Sequence, residues 1–101
     1  MIARLWHGYT KPEDASTYHE MLLNTILPGI HRIAGYQGSY VLRKDSPDEV
    51  EFITLTFWES LDAIREFAGP DYKHSVIAPE AARLLTRHDE HSTHYDSSRS
   101  E

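Results

Sequence analysis

Val50-Glu51-Phe52-Ile53-Thr54-Leu55-Thr56-Phe57-Trp58-Glu59-Ser60-Leu61-Asp62-Ala63-Ile64 is the stretch whose reading decides the fold. Its first nine residues alternate with a period of two and are rich in β-branched and aromatic side chains, the pattern of a strand. Val50, Phe52, Thr54, Thr56 and Trp58 share one face, and Glu51, Ile53, Leu55 and Phe57 the other. At Ser60 the period changes. Ser60 is a helix cap, and Leu61, Ile64, Phe67 and Ala68 form the inward stripe of a helix over Leu61 to Ala68. Gly69-Pro70-Asp71 ends it.

Upstream, Ser46-Pro47-Asp48-Glu49 is a turn cluster. It joins the Val50–Trp58 strand to a second run, Tyr36 to Asp45, with Tyr36, Gly38, Tyr40 and Leu42 on one face, and makes the two a hairpin. Before Gly35, Ala15, Tyr18, Leu22, Ile26, Ile30 and Ile33 recur at three or four residues, the stripe of an amphipathic helix. Pro28-Gly29 lies inside that stripe and predicts a kink or break, with Gly35 as the terminator. Thr10-Lys11-Pro12-Glu13 has capping-box spacing at the helix start. Ahead of it Ile2 to Tyr9 reads as a strand with Ile2/Arg4/Trp6 on one face and Ala3/Leu5/His7/Tyr9 on the other.

Downstream, a loose stretch from Tyr72 to Ala78 leads to a short helix opened by Pro79 and carrying Ala81, Ala82, Leu84 and Leu85. The polar segment Arg87 to Asp96 ends in Ser92-Thr93-His94-Tyr95, which suits a last strand. Residues 1–96 are therefore one domain, and Ser97 to Glu101 is a frayed, disordered tail. Strand, helix, hairpin, helix, strand is satisfied most simply by the right-handed split βαβ arrangement. The fold class is α+β, a ferredoxin-like βαββαβ domain with an antiparallel sheet. Two helices cover one face of such a sheet. The other face is apolar here too, so it is an expected interface, and two copies facing each other close a dimeric α/β barrel.

Composition narrows the classes. With 101 residues there is room for one domain, and a chain this short gains buried area by oligomerising. A net charge of −6 without a basic cluster argues against nucleic acid. No apolar run approaches the ~20 residues of a membrane span, and no signal-peptide core opens the chain. Cysteine is absent, which excludes disulfides and thiolate chemistry and fits a cytoplasmic protein.

Seven histidines include His88, His91 and His94, spaced by three. On a helix they would line up for a metal; on a strand they would not, and the neighbouring Ser92, Thr93 and Tyr95 favour the strand, so no metal site is assigned. Gly35-x-x-Gly38 has no helix start behind it, so no phosphate loop and no nucleotide cofactor is expected. Trp6, Tyr36, Tyr40, Phe52, Trp58 and Tyr72 could wall an aromatic pocket, though most of them are expected to be simply core. The polar groups able to converge on it are Arg4, His7, Tyr72, His74 and His94. A buried Arg4 would hold an enolate or quinone oxygen, and a buried histidine of lowered pKa could take a phenolic proton.

The chain resembles the antibiotic-biosynthesis-monooxygenase-like family of dimeric α+β barrels over about residues 1 to 95. The resemblance rests on Met1-Ile2-Ala3-Arg4-Leu5-Trp6, Leu27-Pro28-Gly29-Ile30, Gly35-Tyr36-x-Gly38, the Val50–Ile64 stretch and Ser92-Thr93-His94-Tyr95. It implies a homodimer that oxygenates a small aromatic or quinone-like molecule with O₂ and without flavin, metal or haem. His94, Tyr72 and Arg4 are then the catalytic candidates, and Trp6, Trp58, Phe52, Tyr40 and His74 the substrate contacts. The alternatives are a dimeric module that only binds such a ligand, or a haem-binding or haem-degrading protein. The haem-degrading branch is similar in using an Asn on the first strand, a Trp after the third and a His on the following helix. Trp58 matches; Trp6-His7-Gly8 offers no Asn, and Leu61 to Ala68 contains no His.

Overall fold

In the computed structural model, which describes residues 1–100, strand β1 (Ile2–Thr10) lies inside a five-stranded antiparallel sheet. The hairpin β2 (Tyr36–Asp45) and β3 (Val50–Trp58) extends one side, with β3 against β1 over their whole lengths, from Ile2 opposite Trp58 to Thr10 opposite Val50. On the far side of β1 the last strand comes in two pieces. β4 (Leu85–His88) pairs with Gly8 to Thr10, and β5 (Thr93–Asp96) with Ile2 to Leu5. The order β2-β3-β1-β4 is that of the ferredoxin-like fold. Among the described residues no helix is long and apolar enough to cross a membrane.

The break in the last strand has a local cause. At Asp89 the chain still meets β1, its amide donating to the His7 carbonyl at 3.0 Å while its carboxylate accepts the His7 amide at 2.9 Å. From Glu90 to Ser92 it pairs instead with the 73–75 stretch, through Ser75 N–H to Glu90 O and Ser92 N–H to Lys73 O. Leu85, expected in the short helix, begins β4 because that helix, α4 (Pro79–Ala82), is one turn long.

At Pro28-Gly29, where a kink or break is expected, the first helix does not break but carries on through a widened turn. It runs as α1 (Ala15–Met21), a π-helical turn over Leu22–Ile26, and α2 (Leu27–Ile30). Proline has no amide for the carbonyl four residues back. The widened turn, in which Leu27 N–H reaches Leu22 O, absorbs that mismatch and lets the helix continue. α2 ends before Gly35, which at φ +90° turns the chain into β2. The capping box does not form: the Thr10 hydroxyl donates to Lys11 O, and Lys11 is the cap residue of a 3₁₀ turn over Pro12–Asp14. Ser60 does cap α3 (Leu61–Ala68), accepting from Ala63 N–H at 3.2 Å.

One face assignment changes as well. Between Tyr36 and Gly38 the β2–β3 register slips, leaving Gln37 as a bulge. A one-residue insertion reverses every side chain beyond it. Tyr36 therefore lies on the helix side against Trp58, with ring centroids 5.6 Å apart, while Tyr40 and Leu42 stand on the opposite face beside Leu55 and Ile53. That opposite face carries Leu5, Ile53, Leu55 and Phe57, and among the described residues no helix covers it; Tyr40 is 65% exposed.

The helix side holds two apolar clusters. One gathers Tyr18, Leu22, Val50 and Phe52 with Ala81 and Leu84; the other gathers Leu27, Ile30, Trp58, Ala63 and Ile64. Ser97 N–H donates to Met1 O, and Ser97–Ser100 have no regular secondary structure; Glu101 of the expected tail lies outside the described residues.

Candidate functional site

Between the two clusters, sandwiched by the sheet and the first helix, is a cavity of about 410 Å³, a size suited to a small organic ligand. Its floor comes from the inward residues of the two central strands, Arg4 and Trp6 on β1 and Thr54 and Thr56 on β3. Leu22, Ile26, Leu27 and Ile30 from the π turn and its flanks form the wall, and Val76 to Ala78 close over it. Gly8 makes the arrangement possible, since a Cβ there would sit 2.9 Å from the Trp6 ring.

Arg4 is the charged group of the floor. It is 5% exposed, and its guanidinium donates to Tyr72 O at 2.5 Å, to His74 O at 3.1 Å and to His94 Nε2 at 3.0 Å. Phe67 lies under its Cζ at 5.6 Å. No carboxylate pairs with it among the described residues. Burial lowers its pKa to about 10, so it is still a cation at neutral pH. A buried cation with only dipolar partners favours any anion that can reach it.

Because an arginine nitrogen can only donate, His94 Nε2 must accept, and the imidazole is neutral with its proton on Nδ1. Burial first, then the charges of Arg4 and Lys73, holds its pKa down to about 4. His94 and the Tyr72 ring, 5.1 Å apart, face a separate hollow with Ile2, Leu61 and Lys73, and Arg4 stands between that hollow and the cavity.

The expected site residues thus divide. Arg4 and Trp6 line the cavity, with the Trp6 Nε1–H donating to Ser75 Oγ at 2.7 Å and Asp89 O at 2.9 Å. Trp58 and Phe52 are fully buried one layer behind it; Trp58 stacks on Phe67, which does line it, and donates to Thr56 Oγ1 at 2.8 Å. His74 contributes its carbonyl, its ring being turned to His91. Tyr40 lies on the opposite face of the sheet. His7 also points there and pairs with Asp89 at 2.7 Å. The three spaced histidines go to three places, Trp6, His74 and Arg4, and the described residues contain no group of three metal-ligating side chains.

Tyr18, Thr54, Thr56, Phe67 and Ser92 line the cavity without having been singled out. For Tyr18 a signal existed, a phenol on the buried stripe of an amphipathic helix, where a polar atom needs a reason. Burial pushes its hydroxyl up to about 12, so it remains a neutral donor.

Neither a family model nor a curated protein sequence matches the chain. Solved structures do. A proposed antibiotic biosynthesis monooxygenase from Deinococcus radiodurans is similar over 100% of this chain and 96% of its own, with TM-score 0.66 and 15% identity. SnoaB, a cofactor-independent oxygenase from Streptomyces nogalater, gives TM-score 0.65 at 16% identity over 98% and 95%. The fold is that of the antibiotic biosynthesis monooxygenases. MhuD, a haem-degrader from Mycobacterium tuberculosis, shares the same fold, with TM-score 0.63 and 16% identity over 100% and 99%. One fold therefore carries at least two chemistries, and the function has to be argued from the cavity.

Proposed function

We propose that the chain is a homodimeric, cytoplasmic, cofactor-independent monooxygenase for a small aromatic or quinone-like molecule, acting in the cavity above Arg4. The observation that carries this reading is the buried Arg4 guanidinium with no carboxylate partner. A phenolate or enolate oxygen supplies the missing anion. At about 4 Å and an effective dielectric near 20, the attraction is about 4 kcal/mol, or roughly three pKa units, less the cost of drying the anion. A phenol bound there ionises near neutral pH, its proton leaving to solvent past the exposed Glu80 of the lining.

The anion then passes one electron to O₂, giving a substrate radical and superoxide. Their recombination forms a C–O bond, and protonation gives a hydroperoxide. Cleavage of the O–O bond with loss of the remaining C–H proton leaves a carbonyl and releases water. An anthrone plus O₂ becomes an anthraquinone plus water, so both oxygen atoms are accounted for. Arg4 holds the oxyanion, and the aliphatic wall excludes water from the radical pair. His94 and the Tyr72 carbonyl act behind Arg4, fixing its guanidinium. The uncovered sheet face around Leu5, Leu55 and Phe57 supports the homodimer.

A non-catalytic binding protein for the same ligands is the second reading, favoured by the absence of histidine from the cavity lining among the described residues. Oxygen uptake by chelator-treated protein with anthrones and hydroquinones separates the two. Uptake above autoxidation is the expected result. Thermal protection by these compounds without uptake would support the binding protein.

A further inference from the structure

Tyr18 is 1% exposed, and its ring packs edge-on against Phe52 with centroids 4.9 Å apart. Among the described residues its hydroxyl makes no hydrogen bond, yet it lines the cavity. A buried phenol normally finds a partner, because leaving the donor unmet costs stability. Here the residue lines the cavity, where a ligand oxygen can meet that donor. Arg4 stands opposite Thr56 in the ladder, and Phe52, on which Tyr18 rests, opposite Gly8. The two polar groups are thus four strand residues apart, roughly 13 Å along the sheet before the side chains take up their share. Between them the wall is Leu22, Ile26, Leu27 and Ile30 with Thr25, over a floor of Trp6, Thr54 and Thr56.

We infer that Tyr18 is a specificity-determining residue that donates a hydrogen bond to a neutral oxygen at the far end of the ligand from Arg4. The ligand class that fits is a flat fused-ring molecule bearing an ionised oxygen at one edge and a carbonyl at the other. This rests on the reading of the cavity as a small-aromatic site. The donor is dependable across neutral pH, since burial keeps the phenol protonated.

The test is binding without turnover. Two anionic probes, 1,4-naphthoquinone-6-carboxylate, whose neutral carbonyls lie on the ring opposite the carboxylate, and naphthalene-2-carboxylate, which has none, are titrated calorimetrically against the wild-type chain and Tyr18→Phe. The expected result is a roughly tenfold loss for the naphthoquinone and none for the naphthoate, the size of one neutral hydrogen bond. Tyr18→Phe should also melt no lower than wild type, because the hydroxyl has no internal partner to lose. Equal affinity of the variant for the naphthoquinone overturns the inference and leaves the oxygenase reading standing. Parallel losses for both probes, or a melting point several degrees lower, overturn it in favour of a packing role. Failure of the wild-type chain to bind either probe overturns the small-aromatic reading and this inference with it.

Discussion

His94 should make the fold sensitive to acid in a definite direction. In the folded chain its pKa is held down to about 4, against about 6.5 when free, by burial and then by the charges of Arg4 and Lys73. Because the folded pKa is depressed, the unfolded chain binds a proton that the folded chain refuses anywhere between those values. Stability is thus fully present above about 6.5 and falls with pH until about 4, below which both states are protonated. A shift of that size has a ceiling of roughly 3 kcal/mol. The ring is only half-buried, and solvent screening reduces this to about 1–2 kcal/mol. His94→Gln is the matched perturbation, since its side-chain carbonyl can still accept from Arg4 but does not titrate. Urea unfolding at pH 7 and pH 4.5, at fixed protein concentration, is the assay. The wild-type chain should lose about 1–2 kcal/mol more than His94→Gln over that interval, roughly 1 M urea at the slope typical of this size. The other histidines cancel in the comparison. Equal losses, or a wild-type chain that gains relative to the variant on acidification, would refute the placement of a neutral His94 behind Arg4.

Two further substitutions test the frame around the site. Gly35→Ala puts a side chain at φ +90° with its Cβ 2.6 Å from the Ala63 Cβ; it should cost about 2–4 kcal/mol of unfolding free energy, read from the denaturation midpoint. Leu55→Arg places a charge in the middle of the uncovered sheet face; sedimentation should show dimer for wild type and monomer for the variant, and a wild-type monomer would contradict the proposed assembly.

Much of the fold was legible because alternation and capping are local. The period-two run Val50–Trp58, the Ser60 cap and the element order all follow from neighbours in sequence. The bulge at Gln37 was not legible. It adds one residue without any change of composition, and it moved Tyr40 from the expected pocket to the other face. Nor was the divided last strand, since its gap depends on the distant 73–75 stretch competing with β1 for the same backbone groups. The site divided along the same line. Arg4 and Trp6 share a face of β1 that was legible, and both line the cavity, whereas His94, expected at the same pocket, faces the separate hollow behind Arg4. Tyr18 and Phe67 reach the cavity through the packing of two helices on the sheet, Tyr18 on Phe52 and Phe67 on Trp58.

The pH dependence of quinone formation from an anthrone, compared between wild type and Arg4→Met, tests the central claim most directly. Methionine removes the charge while filling similar apolar space and strands no opposite charge, but it leaves the Tyr72 and His74 carbonyls and His94 Nε2 without their donor, so the two proteins are compared at a temperature where the variant's melting curve shows it folded. Wild type should turn over with an apparent pKa at least one unit below that of the free substrate. Arg4→Met should show the free-substrate value and a rate at pH 7 about a hundredfold lower. Equal rates and pH profiles for the two proteins would contradict the assignment of Arg4 as the group that holds the substrate anion.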